Sequence, residues 1–110
     1  LVALQRSAKV LVYPCTFPEG FCISAAECMA AGAVPVTTDA FALRTTVGDA
    51  GILVAGSPGE DAYDRAFVEG TVRLLTDSSR HRELAVRGRH RVATTLTWEH
   101  AADRFEAIAA

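Results

Sequence analysis

The sequence has little excess of either charge, no paired cysteine motif and no long apolar run, and each absence excludes a class of protein. With 11 basic and 13 acidic residues the formal net charge is -2, which argues against a nucleic-acid surface because such surfaces need a basic stripe. The only positive cluster, residues 80–91, is interleaved with apolar residues as an exposed helix face is. No apolar run approaches the roughly 20 residues of a membrane span.

The three cysteines are too far apart for a CxxC or zinc motif. They predict reduced thiols in a cytoplasmic protein, with a peripheral position at the inner face of the membrane as an alternative for the full-length protein. With 110 residues, 50% of them hydrophobic, the chain predicts one compact α/β unit with a modest core. Because it opens on Leu1 without a methionine, we expect it to be part of a longer protein.

The first half of the chain has the pattern of a strand, a helix and a second strand. A short apolar run predicts a buried strand at 9–13, and an Ala-rich segment predicts a helix from Ile23 to about residue 31, closed by Gly32. A second strand at 33–38 follows within a few residues. This spacing is typical of a right-handed parallel crossover.

Later segments continue the pattern with one more strand and several helices. We expect a short helix at 41–47 closed by Gly48, a strand at 51–54, helices at 60–76 and 79–94 that are separated by Asp77-Ser78, and a last helix after Thr97. In the helix at 60–76, six apolar residues fall at helical spacings: Tyr63, Phe67, Val68, Val72, Leu74 and Leu75. We interpret His81, His90 and His100 as solvated helix residues and Trp98 as a packing anchor.

The turn between the first strand and the first helix is the candidate site. A helix that starts at the carboxyl end of a parallel strand directs its free N–H groups into the crevice above the sheet, where they bind phosphate. Gly20 at this opening allows a ligand to approach the backbone. Two carboxylates bracket the turn, Glu19 and Glu27, roughly 9 to 12 Å apart along a helix axis. Carboxylates accept hydrogen bonds from sugar hydroxyls.

Three residues of this helix allow more than one interpretation. Glu27 lies in a segment that is apolar on nearly every side, which predicts a buried carboxylate with hydrogen-bond donors around it. The Ser24 hydroxyl bonds either a phosphate oxygen or a helix carbonyl. Cys22, near the helix N-terminus, has no neighbouring base, so a small buried cysteine is favoured over a reactive thiolate.

Three pieces of the chain resemble the Glu-x7-Glu signature block of the group 1 (family 4) retaining glycosyltransferases of GT-B fold: Pro18-Glu19-Gly20-Phe21, Glu27-Cys28-Met29-Ala30-Ala31-Gly32 and Pro35-Val36. The resemblance implies a Rossmann-like parallel sheet with flanking helices, and identifies residues 1–110 as part of the C-terminal, donor-binding domain.

The resemblance also implies a reaction and roles for the residues of the turn. A hexose would pass from a UDP-, GDP- or ADP-sugar to an acceptor hydroxyl with retained anomeric configuration, without a metal or other cofactor. Glu19 would contact hydroxyls of the donor sugar as the catalytic residue, and Glu27 the ribose hydroxyls. The backbone N–H groups that would lie against the sugar and diphosphate belong to Gly20, Phe21, Cys22 and Ile23.

The chain departs from the family pattern in three places. Residues 1–18 lack the basic pair that neutralises the diphosphate, Cys22 replaces a second glycine, and residues 40–45 lack the usual Gly and Glu. The isolated piece is therefore expected to fold but not catalyse, because the N-terminal domain with the acceptor site is missing, and to self-associate as a homodimer. The alternatives are a flavodoxin-like or receiver-like regulatory domain, a non-catalytic scaffold, and a GT-B phosphorylase or sugar-nucleotide epimerase. A receiver would need an acidic phospho-acceptor where Pro14 and Cys15 stand.

Overall fold

The structure is a computed structural model that describes residues 7–16, 20–96 and 99. A parallel sheet with the order β1-β2-β3 is formed by β1 (Val10–Tyr13), β2 (Val34–Thr38) and β3 (Ile52–Val54). The register pairs Val10 with Val34 and Val36 with Ile52. The predicted parallel α/β architecture is confirmed, and β1 and β3 are the edge strands of the described sheet.

The helices begin and end within two residues of their predicted positions. They are α1 (Ile23–Ala31), α2 (Leu43–Val47), α3 (Asp61–Thr76) and α4 (Ser78–Thr95). Asp77 caps α4 as predicted, since its carboxylate accepts a 3.0 Å bond from the backbone N–H of Arg80. The helix predicted after Thr97, with Trp98 and His100, lies outside the described residues. Within the described ranges, no helix has both the length and the apolar character needed to cross a bilayer.

The central strand β2 is buried along its whole length because both faces of the sheet are covered. On one face Val34 and Val36 pack with residues of α3 and α4. On the other face, Met29 of α1 and Leu43 of α2 lie in a second apolar cluster. Helix α4 also contacts α1, where Gly88 lies against Met29. Helices therefore cover both faces of the sheet.

The predicted apolar face of α3 is only half right. Three of its members are buried, Tyr63, Phe67 and Leu74, whereas Val68, Val72 and Leu75 are exposed. At about 100° per residue the two sets lie roughly 120° apart around the helix, so one sheet face cannot cover both.

Two arginines of α4 reach the C-terminal ends of the helices on the other side of the molecule. The Arg89 guanidinium lies over Gly32, which ends α1 with a φ of 97°. Arg91 lies beside Gly48 at the end of α2 and donates to the carbonyls of Thr45 and Thr46. Part of the arginine-rich segment therefore makes tertiary contacts, in addition to forming an exposed helix face.

His81 also differs from the prediction of a solvated histidine. It is half-buried, and its Nε2 donates to the Lys9 carbonyl at 2.7 Å, which ties α4 to the start of β1. His90 is exposed, as predicted.

Candidate functional site

The first turn of α1 follows the carboxyl end of β1 and has no side-chain cap. Cys22 is the N-cap residue with extended backbone angles (φ -90°, ψ 95°), its side chain makes no capping hydrogen bond, and the first turn contains no acidic residue. The first N–H groups of a helix have no partner within the helix. This end of α1 therefore combines backbone donors with the positive end of the helix dipole, a combination suited to an anion.

A cavity of about 420 Å³ opens beside this turn. It brings together four of the predicted binding residues with the edge strand β1, and its lining consists of Leu11, Val12, Tyr13, Phe21, Cys22, Ile23 and Ser24. Phe21 and Ile23 are 45% and 53% exposed. The cavity thus has an apolar wall from β1 and a helix N-terminus as its other wall.

Gly20 has a sterically open position at the start of the turn. A Cβ built on it meets no other atom within 4 Å, and its φ is not positive. The described fold therefore does not itself require glycine here. A close approach of a ligand to the backbone is a requirement that would.

The structure corrects the expectation that Glu27 is buried. Glu27 is exposed on the same face of α1 as Ile23 and Ala30, while the buried face consists of Ala25, Ala26, Cys28 and Met29. The sequence neighbours on both sides of Glu27 are apolar and do lie on the buried face, but Glu27 itself falls on the opposite side of the helix. The carboxylate lies one turn beyond Ile23, about 6 Å along the axis, and outside the lining of the cavity.

Glu19, the predicted catalytic residue, lies outside the described residues, as do Phe17 and Pro18. Its separation from Glu27 and its role remain predictions from the sequence.

The cysteines around the turn are buried free thiols. Cys15, Cys22 and Cys28 all belong to the interior of the described structure, in agreement with the interpretation of Cys22 as a small buried residue. The pKa of the Cys28 thiol is raised above its ordinary value, first by burial and then by the nearby Glu27 and Cys22. Cys28 is therefore held in its protonated, unreactive form.

A buried hydrogen-bond chain holds the segment that leads into the turn. The Thr38 hydroxyl donates to the Cys15 carbonyl at 2.7 Å, so its contact of 2.8 Å with the Tyr63 hydroxyl has Tyr63 as the donor. Next to it, the Thr37 hydroxyl donates to the Tyr13 carbonyl at 2.6 Å. The sequence did not reveal this chain, because nothing local distinguishes two strand threonines from ordinary core residues.

Phe41, in the loop after β2, has a backbone conformation that favours glycine. Its φ is 54° and its ring is 55% exposed. This is the segment in which the family's usual glycine is missing from the sequence. The left-handed residue also explains why α2 begins at Leu43 and not at residue 41, since a helix cannot include that angle.

Asp39 and Arg44 form an ion pair at the carboxyl end of β2, with Nε and Oδ1 2.7 Å apart. Both side chains are exposed, so the pair contributes about 0–1 kcal/mol. Within the described part of the chain, His, Cys, Asp and Glu side chains form no group of three or more arranged to hold a metal ion.

Comparison with known proteins decides the family. The family model for group 1 glycosyl transferases matches residues 1–77. The chain belongs to the group 1 glycosyl transferases. This membership replaces the flavodoxin-like or receiver-like alternative and agrees with the resemblance of the Glu-x7-Glu block.

Two similar proteins are much longer than this chain. D-inositol 3-phosphate glycosyltransferase from Thermomonospora curvata is 36% identical over 106 residues, which are 94% of this chain and 23% of that protein. Sucrose-phosphate synthase from Thermosynechococcus elongatus, a GT-B glycosyltransferase, is similar in structure, with a TM-score of 0.79 and 30% identity over 98% of this chain and 26% of the other. The chain spans about a quarter of the length of each.

Proposed function

We propose that this group 1 glycosyl transferase chain is part of the C-terminal domain that binds the donor, a nucleotide-diphosphate sugar. The observation that carries the proposal is the uncapped N-terminus of α1, which opens on the cavity at the carboxyl end of β1. Phosphate is the group that such a helix end binds best. The UDP-, GDP- or ADP-sugar classes all present a diphosphate.

The activity proposed for the whole protein is sugar transfer to an acceptor hydroxyl with retention of configuration. The backbone N–H groups of residues 20–23 would face the sugar and diphosphate. As the bond to the leaving group breaks, negative charge builds up on the diphosphate, and fixed donors in a site closed to water stabilise it. Glu19 would hold hydroxyls of the transferred sugar.

Glu27 is proposed to bind the ribose hydroxyls. Its exposure supports this role, because the carboxylate is accessible to a ligand that reaches past Ile23 along α1. A nucleoside lies beyond the diphosphate from the transferred sugar, which matches the order of Glu19, the helix end and Glu27 along the chain.

Titration of the bare nucleoside diphosphates into the full-length protein tests the binding role. The affinities for UDP, GDP and ADP are compared first, and the diphosphate that binds is then titrated into two variants. Glu27→Ala should lower the affinity for this diphosphate about 10- to 100-fold, since a charged hydrogen-bond partner contributes about 1.5–3 kcal/mol. Glu69→Ala is the matched control, because Glu69 is also an exposed helix glutamate, on α3. Equal affinities in the two variants would refute the ribose role.

Kinetics with the intact nucleotide sugar test the sugar-side role of Glu19. Glu19→Gln should lower kcat more than it lowers the affinity for the bare nucleotide, because the nucleotide does not contact the residue. Parallel losses of both would contradict the assignment.

The 110-residue chain by itself is proposed to be inactive and to dimerise. The acceptor side of the cleft and a basic diphosphate clamp would come from the rest of the protein, and half a cleft cannot orient two substrates or exclude water. The open edge of β1, with Val12 55% exposed, is a surface for strand pairing. Sedimentation of the isolated chain as a monomer at all concentrations would refute dimerisation, and measurable transfer would refute inactivity.

A further inference from the structure

A second cavity, of about 270 Å³, lies at the amino end of the sheet. Its inner lining includes Gly32, Leu74 and Ala85, which are buried, and three cationic side chains also line it, Lys9, Arg82 and Arg89. Lys9 directly precedes β1, and the candidate donor turn follows the other end of that strand. Four residues of strand, about 13 Å, separate the two ends. We refer to this second cavity as the cationic pocket.

Of the eight arginines in the described part of the chain, four have a protein partner, whereas Arg65, Arg73 and the pocket residues Arg82 and Arg89 have none. Arg44, Arg80 and Arg87 pair with carboxylates, and Arg91 donates to carbonyls at the end of α2. Among the described residues, the side chains of Lys9, Arg82 and Arg89 make no ion pair or hydrogen bond.

No carboxylate belongs to the lining of the pocket, although the sequence contains more acidic than basic residues. The Asp77 carboxylate next to it is engaged as the cap of α4. The first turn of α4 contributes Ser78 to the lining, and the Asp77 carboxylate that caps this helix offsets the positive end of its dipole, so the positive charge of the pocket comes from its side chains. Like charges around one cavity repel each other unless an anion lies between them.

All three cationic side chains are exposed, and contacts with the fold place the Arg89 guanidinium and the backbone of Lys9. The Arg89 guanidinium occupies space that any side chain at Gly32 would take, so the glycine leaves room for it in the wall. His81 donates to the carbonyl of Lys9 at 2.7 Å and thereby fixes the backbone of Lys9 against the turn of α4 that carries Arg82.

We propose that the cationic pocket binds a phosphate group, as inorganic phosphate or as a small phosphomonoester. Arginine and lysine side chains form charge-assisted hydrogen bonds with phosphate oxygens. The volume is below the range of about 300–1,000 Å³ typical for drug-sized ligands, and no Phe, Tyr or Trp side chain lines it, so the site suits a small phosphate compound better than a nucleotide. The phosphate belongs either to a soluble metabolite or to a lipid headgroup at a membrane surface.

Calorimetric titration of the full-length protein with inorganic phosphate and with glycerol 3-phosphate tests the soluble source. The double variant Lys9→Gln/Arg82→Gln should bind at least about tenfold more weakly than the unchanged protein, since it loses two charged donors. Arg65→Gln is the matched control, because Arg65 is an exposed arginine on α3, roughly 14 Å along the helix from Leu74. It should change the affinity less than twofold.

Two further arms separate the phosphate sources and the two sites. Lys9→Gln/Arg82→Gln should keep its affinity for the nucleoside diphosphate, because Lys9 and Arg82 line the cationic pocket and not the cavity beside the start of α1. Vesicles of phosphatidylglycerol, compared with phosphatidylcholine, test the headgroup source. If the unchanged protein binds the phosphatidylglycerol vesicles and the Lys9→Gln/Arg82→Gln variant does not, the ligand of the pocket is a lipid phosphate. The proposal is overturned if the double variant and Arg65→Gln match the unchanged protein with every probe.

Discussion

Removal of the Tyr63 hydroxyl tests the buried hydrogen-bond chain that holds the entrance to the candidate site. Tyr63 is 2% and Thr38 3% exposed, so neither hydroxyl has water as a substitute partner. Tyr63→Phe removes one neutral hydrogen bond and should lower the free energy of unfolding by about 1 kcal/mol. Thr38→Val should cost about 2–4 kcal/mol, because it removes the hydrogen bond to the Cys15 carbonyl and also takes away the acceptor of the buried Tyr63 hydroxyl.

The double variant distinguishes a true chain from two independent polar groups. In Tyr63→Phe/Thr38→Val the Tyr63 hydroxyl is absent and no longer needs an acceptor, so the variant should be about 1 kcal/mol more stable than the sum of the single losses predicts. Urea unfolding, followed by circular dichroism, measures these differences. The control cycle pairs Tyr63→Phe with Thr76→Val, an exposed threonine near the far end of α3, and should be additive. Equal additivity of both cycles would refute the chain.

Three other predictions follow from the described contacts. Gly51→Ala should destabilise the protein by about 1–3 kcal/mol, because its Cβ would lie 2.6 Å from the Pro35 carbonyl oxygen. Gly88→Ala, whose Cβ would have its nearest contact at 3.4 Å, should be neutral or stabilising by up to about 1 kcal/mol. Urea midpoints measure both variants, and an undiminished stability of Gly51→Ala would contradict the packing of β3 on β2. Phe41→Gly should change the free energy of unfolding by less than about 1 kcal/mol, since glycine relieves the left-handed strain and the residue is exposed. Loss of a buried Phe costs about 3–5 kcal/mol, and a decrease of that size would mean that the Phe41 ring is packed. The pKa of Cys28 is raised from its ordinary 9.0, so above about pH 9 the folded protein keeps a proton that the unfolded chain releases. The free energy of unfolding should therefore fall as the pH rises above about 9. Cys28→Ala should flatten this decline, and an unchanged dependence of stability on pH would contradict the burial of the thiol as its cause.

Local chemistry made most of the fold predictable. The β-branched run before Pro14, the alanine-rich segment from Ile23 and the glycine at residue 32 each specify a conformation through neighbours within a few positions, and all three predictions are confirmed. The Glu-x7-Glu block also lies within one short segment, so the family was recognisable from the sequence.

Faces and long-range partners were less predictable. Val68, Val72 and Leu75 have the same spacing as a buried stripe, and only the position of the sheet decides that Tyr63, Phe67 and Leu74 are the covered set. The exposure of Glu27 follows from the same cause, because only the packing of α1 on the sheet decides which side of this helix is covered.

The sequence by itself determined the strands, the helices, the turn at the start of α1 and the family, since these depend on residues close together in the chain. Tertiary structure alone decided which distant groups meet. It placed Tyr63 on Thr38, 25 positions away, and His81 on Lys9, 72 positions away. It also gathered Lys9, Arg82 and Arg89 around one cavity. Such contacts arise from the parallel crossover and the packing of α4 across the end of the sheet, which no local pattern encodes.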